Sequence, residues 1–398
     1  MKRKLKVLIA TDSPKLTTGF GRVGREITKT LDDTGLFEIE AIAWFHPRDK
    51  DGNPIPFKYH HKLHFTDPRD TADNYADKTS EKIIREFGPD IVFTLGDIPW
   101  MIEWAARNRR ICGYEWISYF PIDGAPFDLE NRQLLKAMDL PVTFTKFGID
   151  EIAKVDDRVV VEEIPHGVDT EVFKPLNPVD VARYGRTAFP NFDDIFIVGT
   201  LGRNNPRKQY PIIFEAFKEF SRDKDDAFLY CHLAENDTGL GHKMKGLIER
   251  NNLVGKVMTP QISVCQGVPD DTLNHVINCC DVGLFPYSRE GWGLGISEFM
   301  ACGKPVLFTD YASAPCFAKD GGIPLKVKAY NTGIHQNLKD AICDVDFIVE
   351  SLNKLYYNPS LREKYGKAGH SKIQDYSWNK VNAKWREIFV KMHEKANM

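Results

Sequence analysis

The chain has 398 residues and almost no net charge: 53 Lys and Arg oppose 56 Asp and Glu, leaving -3 at neutral pH. No global basic field therefore draws it to nucleic acid or to an anionic membrane. Apolar runs are short. None approaches the ~20 residues needed to cross a bilayer. The first, Val7-Leu8-Ile9-Ala10, is too short for the core of a secretion signal and reads as a buried strand. Cysteine is sparse and unpatterned. Eight occur, with no C-x-x-C pair and with Cys279 beside Cys280, so neither a zinc site nor a disulfide scaffold is indicated. Cys112, Cys231 and Cys302 lie in apolar runs and are expected as reduced, buried thiols of a cytoplasmic protein. His60, His61 and His64 have no Cys or carboxylate at ligand spacing and are expected as solvated loop side chains, so no metal site is expected.

What is present is a globular composition, 42% apolar and 27% charged. Single cores stop growing at about 250–300 residues, so two domains are expected. The first half alternates strand-like runs (6–10, 38–44, 90–95, 116–120, 140–145) with helical patterns (23–31, 79–87, 100–107, 129–136, 149–154). That alternation implies a parallel, doubly wound sheet. Pro165, Gly167 and Pro175 bracket a connection, after which the pattern restarts. Strands are expected at 195–200, 227–233, 257–259, 282–285 and, as the last clear one, 306–309. Helices are expected at 210–220, 243–251, 270–279, 345–357, 359–370 and 378–395. The expected fold is thus α/β, with two Rossmann-like domains, 1–165 and 166–375, facing across a cleft.

The most informative stretch is Ser288-Arg289-Glu290-Gly291-Trp292-Gly293-Leu294-Gly295-Ile296-Ser297-Glu298. Glycines ahead of a helix let the backbone approach a ligand and leave the first amides open to phosphate. Glu290 stands at the lip of this turn and Glu298 inside the helix, where carboxylates suit paired hydroxyls. A sugar joined to a phosphorylated ribose would satisfy all three features. After the 195–200 strand comes Gly202-Arg203-Asn204-Asn205-Pro206-Arg207-Lys208. Arg203 and Lys208 make an anion site able to neutralise a departing diphosphate, with Arg207 as the spectator. Thr17-Thr18-Gly19-Phe20-Gly21 holds the matching place after the first strand. On Gly19 and Gly21 alone it does not amount to a dinucleotide fingerprint, and Glu40 is a weak candidate for the ribose acid.

These motifs resemble the retaining glycosyltransferases of family 4, which have the two-domain GT-B fold. The resemblance is strongest from Ile164 to Val306 and includes Pro165-His166-Gly167-Val168-Asp169 and Ala301-Cys302-Gly303-Lys304-Pro305-Val306. Tyr376-Ser377-Trp378 resembles the family's ending, where a helix (376–398) crosses back onto the first domain. The resemblance implies a nucleotide-sugar donor and no cofactor or metal. Glu298 would hold the ribose hydroxyls and Glu290 those of the transferred sugar. Arg203 and Lys208 would hold the diphosphate, assisted by the backbone of Gly291, Trp292, Gly293 and Leu294, with Gly19 approaching the same phosphates. Many members carry a histidine after the strand equivalent to 116–120, where this chain has Asp123, the candidate for that catalytic role. Asp97 is a weaker candidate for acceptor contact, and His166 is read as structural.

A nucleotide-sugar epimerase or dehydrogenase is the rival from another class. It would need the full fingerprint and a Tyr-x-x-x-Lys pair; Tyr59 and Lys62 stand one residue too close, and Tyr114 has Ser118 four positions on. An inverting GT-B transferase and a non-enzymatic sugar-nucleotide-binding protein also stay open. The acceptor is open among a lipid-linked sugar reached by peripheral membrane contact, another glycan, and a protein or a hydroxylated DNA base reached through Arg107, Arg109 and Arg110. The donor is open too among UDP-, GDP- and ADP-linked sugars, because the loop Ile262–Gly267 offers no discriminating side chain.

Overall fold

The computed structural model describes residues 3–66, 73, 75–97, 103–233, 241–260, 267–333 and 337–398. Two compact units emerge. One comprises Met1–Ile122, Phe127–Gly167 and Trp378–Met398; the other comprises Asp123–Pro126 and Val168–Ser377.

The strands of the first unit are β1 (Leu5–Asp12), β2 (Phe37–Trp44), β3 (Lys62–Phe65), β4 (Ile91–Leu95), β5 (Glu115–Phe120), β6 (Leu140–Thr143) and β7 (Glu162–Glu163). They form one parallel sheet in the order β3-β2-β1-β4-β5-β6-β7. β1 and β4 are fully or nearly fully buried, as strands covered on both faces must be. The order reverses at β1 and β4, so the loop after β1 leaves from the switch point where open α/β sheets take ligands.

That loop enters the helix Gly19–Asp32. Thr18 caps it, accepting from the Gly21 amide at 3.2 Å while its hydroxyl donates to Asp12 Oδ2 at 2.5 Å. Gly24 completes the G-x-G-x-x-G spacing begun by Gly19 and Gly21, which corrects the two-glycine expectation for this turn. A Cβ on Gly24 would lie 2.7 Å from Thr11 Cγ2, so this glycine lets the helix pack closely on β1. The helix Trp378–Ala396 buries Val381, Trp385, Phe389 and His393, one stripe at four-residue spacing. Trp385 and Phe389 meet Phe93 of β4 at 5.3 and 5.9 Å between ring centroids, and Phe389 meets Phe37 at 5.8 Å.

In the second unit, β8 (Phe196–Leu201), β9 (Ala227–His232), β10 (Val257–Met258), β11 (Val282–Phe285), β12 (Val306–Thr309) and β13 (Gly322–Leu325) form a parallel sheet ordered β10-β9-β8-β11-β12-β13. A separate antiparallel hairpin pairs β14 (Val327–Thr332) with β15 (Lys339–Cys343). Phe214 and Phe217 of the helix Tyr210–Phe220 are fully buried in this unit's core with Val198, Leu229 and Leu284.

Several elements depart from the sequence expectation. β12 is not the last strand: β13, β14 and β15 follow it. β13 contains Pro324, which an edge strand tolerates because one side of its ladder is unpaired. β14 is exposed from Lys328 to Thr332 and so carries no alternating apolar signal. β3 occupies a stretch expected as polar loop. Its His64 reaches Glu40 of β2 at 2.6 Å and His61 reaches Asp32 at 2.7 Å, so these histidines have carboxylate partners that sequence spacing does not reveal. Cys112, expected buried, is exposed, whereas Cys231, Cys279, Cys280, Cys302 and Cys343 are buried thiols. Residues 100–102 of the expected 100–107 helix lie outside the described residues; the helix is described from Glu103 to Cys112.

Candidate active site

The carboxyl ends of β8 and β11 deliver two loops of the second unit to the same place. After β8 the chain turns through Gly202 and a 3-10 turn, Pro206–Lys208, into the helix Tyr210–Phe220. A Cβ on Gly202 would stand 3.1 Å from Lys208 Cδ and Cε, so the glycine clears a path for the lysine stem. Lys208 is buried, and its ammonium lies 2.5 Å from Glu290 Oε2 and 3.7 Å from the centre of the Tyr287 ring. Burial draws Lys208 down to about 8, with Arg207 pressing the same way and Glu290 opposing. Burial alone would raise Glu290, but Arg207 and Lys208 outweigh it and hold the carboxyl down to about 2. Both groups are therefore ionised at neutral pH.

Arg207 is not the spectator that the sequence suggested. Its Nη1 stands 3.1 Å from Glu290 Oε2 and 3.6 Å from Asp123 Oδ2, and it donates to the Arg289 carbonyl at 3.0 Å. Neighbours in a 3-10 turn point about 120° apart, yet both Arg207 and Lys208 reach Glu290, a convergence that residue spacing alone does not disclose. Arg203, by contrast, is exposed. Its neighbour Asn204 is fully buried; its side-chain Nδ2 donates to the His242 carbonyl at 2.8 Å and its Oδ1 accepts from the His242 amide at 2.9 Å.

Asp123 joins the cluster through its carboxylate and its backbone. The Asp123 carbonyl accepts from the Glu290 amide at 3.1 Å, and Asp123 Oδ2 stands 3.7 Å from Arg289 Nη1. Arg289 is in turn held by Asp340 of β15 at 2.8 Å. Sequence reasoning missed both Arg289 and Asp340. Arg289 is visible beside Glu290 in the sequence, whereas Asp340 lies fifty residues beyond Glu290 in the short hairpin strand β15 and carries no local signal.

The glycine turn after Glu290 runs directly into the helix Leu294–Ala301. Gly293 adopts φ +99, a conformation that strains any residue with a side chain, and no side chain caps the helix start. Its first amides are the kind of donors that accept phosphate. Trp292 is buried, stacked on Phe317 at 4.3 Å and edge-on to Tyr376 at 5.3 Å, which fixes the turn between Gly291 and Gly293. Glu298 is buried in the second turn of that helix. Gly19 belongs to the first unit, as the first residue of its helix. The Ile262–Gly267 loop lies, except for Gly267, outside the described residues.

The dehydrogenase reading fits less well even with Gly24 counted. The acid of a dinucleotide fold belongs near the end of β2, about 20 residues past the glycines. That end is Trp44, while Glu40 sits mid-strand and is paired with His64. Tyr376 and Lys380 do stand at Tyr-x-x-x-Lys spacing, far along the chain from Tyr59 and Tyr114. They lie in different elements, a 3-10 turn and the following helix, so the spacing does not stack them on one helix face. His166, read as structural, is buried. Its Nδ1 meets Tyr119 Oη at 2.8 Å, and burial lowers it to about 3.

The family model for glycosyl transferases group 1 matches residues 186–372. The O-antigen chain mannosyltransferase B of Escherichia coli is 36% identical over 383 residues, spanning 84% of this chain and 91% of that protein. A D-inositol 3-phosphate glycosyltransferase of Corynebacterium jeikeium is 23% identical over 290 residues; the match covers 70% of this chain but only 64% of that relative. In structure, Anabaena HepE, solved in complex with UDP-glucose, superposes with a TM-score of 0.74 at 14% identity, covering 97% of this chain and 100% of that one. The chain belongs to the glycosyl transferases group 1 family. It is a glycosyltransferase with the GT-B fold of two Rossmann-like parallel sheets.

Proposed function

We propose that the protein transfers a sugar, with retention of anomeric configuration and without a metal, from a nucleoside-diphosphate sugar to a hydroxyl of a glycan or polyol acceptor. The observation that carries this reading is the Glu290 carboxylate, flanked by Lys208 and Arg207 and followed by an uncapped helix start. Lys208, Arg203 and the amides of Gly291, Trp292, Gly293 and Leu294 hold the diphosphate. Arg207 adds a third cation. Together they neutralise the charge that develops as the sugar–phosphate bond breaks, which is the work a divalent ion would otherwise do. Glu290 and Asp123 accept hydroxyls of the transferred sugar, and Glu298 those of the ribose. The leaving phosphate takes the acceptor's proton.

A nucleotide-sugar donor is supported by the UDP-glucose complex of HepE, and a carbohydrate acceptor by the names of the relatives. The DNA route loses support because Arg107 is paired with Asp77 at 2.9 Å and Arg109 with Asp139 at 2.8 Å. Among the described residues no helix is long and apolar enough to cross a membrane. The test is incubation with UDP-glucose and GDP-mannose, in EDTA and in magnesium, with NMR of the anomeric proton of the product. An inverted product, or turnover that requires the metal, refutes the reading.

A further inference from the structure

Six charged side chains of the second unit alternate in sign: Lys208, Glu290, Arg207, Asp123, Arg289 and Asp340. The proposed chemistry uses the first four. The last two tie the site to the β14–β15 hairpin. Asp340 Oδ1 accepts from Arg289 Nε and from Ser288 Oγ, each at 2.8 Å. The Ala341 amide donates to the Ser288 carbonyl at 2.9 Å, so β15 is joined to the Glu290 loop by main chain as well as side chain. One residue before Asp340, the Lys339 amide donates to the Ala125 carbonyl at 2.7 Å. The Ala125 amide in turn donates its hydrogen to Tyr311 Oη at 2.7 Å. Three successive residues of β15 thus grip both segments that carry the sugar-facing carboxylates.

We propose that β15 sets the donor-sugar preference of the enzyme, with Asp340 as a positioning residue that acts through Arg289 on Asp123. This rests on the donor reading above and takes it further, to the part of the chain that selects the sugar. With Nε engaged by Asp340, the Arg289 guanidinium is fixed in the plane that leaves Nη1 facing Asp123. Arg207 faces the same carboxylate oxygen, so Asp123 is clamped between two guanidinium groups. The clamp offsets the Asp123 charge with a guanidinium on either side and holds its carboxylate in one orientation toward the hydroxyls it accepts. Lys208 and Arg207, the two cations beside Glu290, are the ones assigned to the diphosphate.

The test compares wild type with Asp340→Asn, Asp340→Glu and Arg289→Lys by calorimetry with UDP, UDP-glucose, GDP, GDP-mannose and ADP, together with donor hydrolysis. Asp340→Asn retains the shape and the bond from Ser288 but loses the charge. Its affinity for bare UDP or GDP is expected to stay within about twofold of wild type. The added affinity conferred by the sugar, and kcat, are expected to fall about tenfold, the scale of a small misplacement of a contact group. Arg289→Lys should behave alike, and Asp340→Glu should recover part of the loss. Equal weakening of bare and sugar-bearing nucleotides, accompanied by a lower melting temperature, would show a scaffold role and overturn the inference. So would an Asp340→Asn protein indistinguishable from wild type. A wild type that binds none of UDP, GDP and ADP would instead remove the donor reading itself, and the inference with it.

Discussion

Two carboxylates in this molecule are each surrounded by cations, and they differ in which partner is hidden. In the first unit, Asp156 is almost wholly covered, while Arg132, Lys136 and Arg158 around it keep 42% or more of their side chains exposed. Hydrogen bonds from Arg158 and Arg132 hold the Asp156 carboxyl well below its usual range. In the second unit, Glu290 faces Lys208, which is only 9% exposed and drawn down by burial. Hydrated cations around a buried carboxylate make a closed structural knot. A buried lysine is different: its desolvation is incompletely offset, so an incoming anion gains more from it than from a solvated one. Of the two clusters, burial of its lysine makes the Glu290 cluster the better suited to an incoming anion.

Variants can break this contrast. Glu290→Gln should have the largest effect on turnover, lowering kcat about 100-fold or more by removing a sugar contact and the partner of two cations, with UDP or GDP binding largely retained. Asp156→Asn should do the reverse, lowering the melting temperature by a few degrees and leaving kcat and KM unchanged; a loss of turnover there would erase the distinction. Lys208→Ala should weaken nucleoside-diphosphate binding about 10- to 100-fold, the range of a charge-assisted contact. Arg203→Ala, at an exposed position, should cost less and fade in high salt.

Two smaller effects sharpen the comparison. Nucleotide binding should be flat below pH 7 and decline as pH rises through about 8, where Lys208 loses its proton. Stability moves with opposite signs in two windows. The Glu290 carboxyl, depressed from 4.5 to about 2, contributes stability above pH 4.5 that is lost as pH falls toward 2. Folding depresses Lys208 below its ordinary 10.5, so stability rises between about pH 8 and 10.5. Denaturant titrations of wild type and Glu290→Gln check the acid window, which the variant should lack. Among the glycines, Gly24→Ala should lower stability by about 1–3 kcal/mol through overpacking on Thr11. Gly293→Ala, strained by about 1–2 kcal/mol at φ +99 and with its Cβ 3.0 Å from Ile296 Cδ1, should also impair turnover by shifting the turn that follows Glu290.

Much of the fold was legible because parallel strands are buried on both faces and read as apolar runs, as β1, β4, β8 and β11 do. β3, β13 and the hairpin were not, being edge or exposed strands formed by pairing rather than by apolar pattern. In the site, Glu290, Lys208 and the Gly291–Gly293 turn were visible because glycine and charge occupied fixed places after strands. The engagement of Arg207 was not, because its direction depends on a single 3-10 turn.

Local sequence, through burial pattern and glycine placement, determined two alternating α/β halves and the chemical kind of site they carry. Tertiary structure alone decided which cations face Glu290 and that a hairpin strand fifty residues beyond Glu290 holds Arg289 against Asp123. The reason is physical. Propensity and periodicity act over one or two turns of chain, whereas a contact between charged side chains depends on where distant loops are brought together.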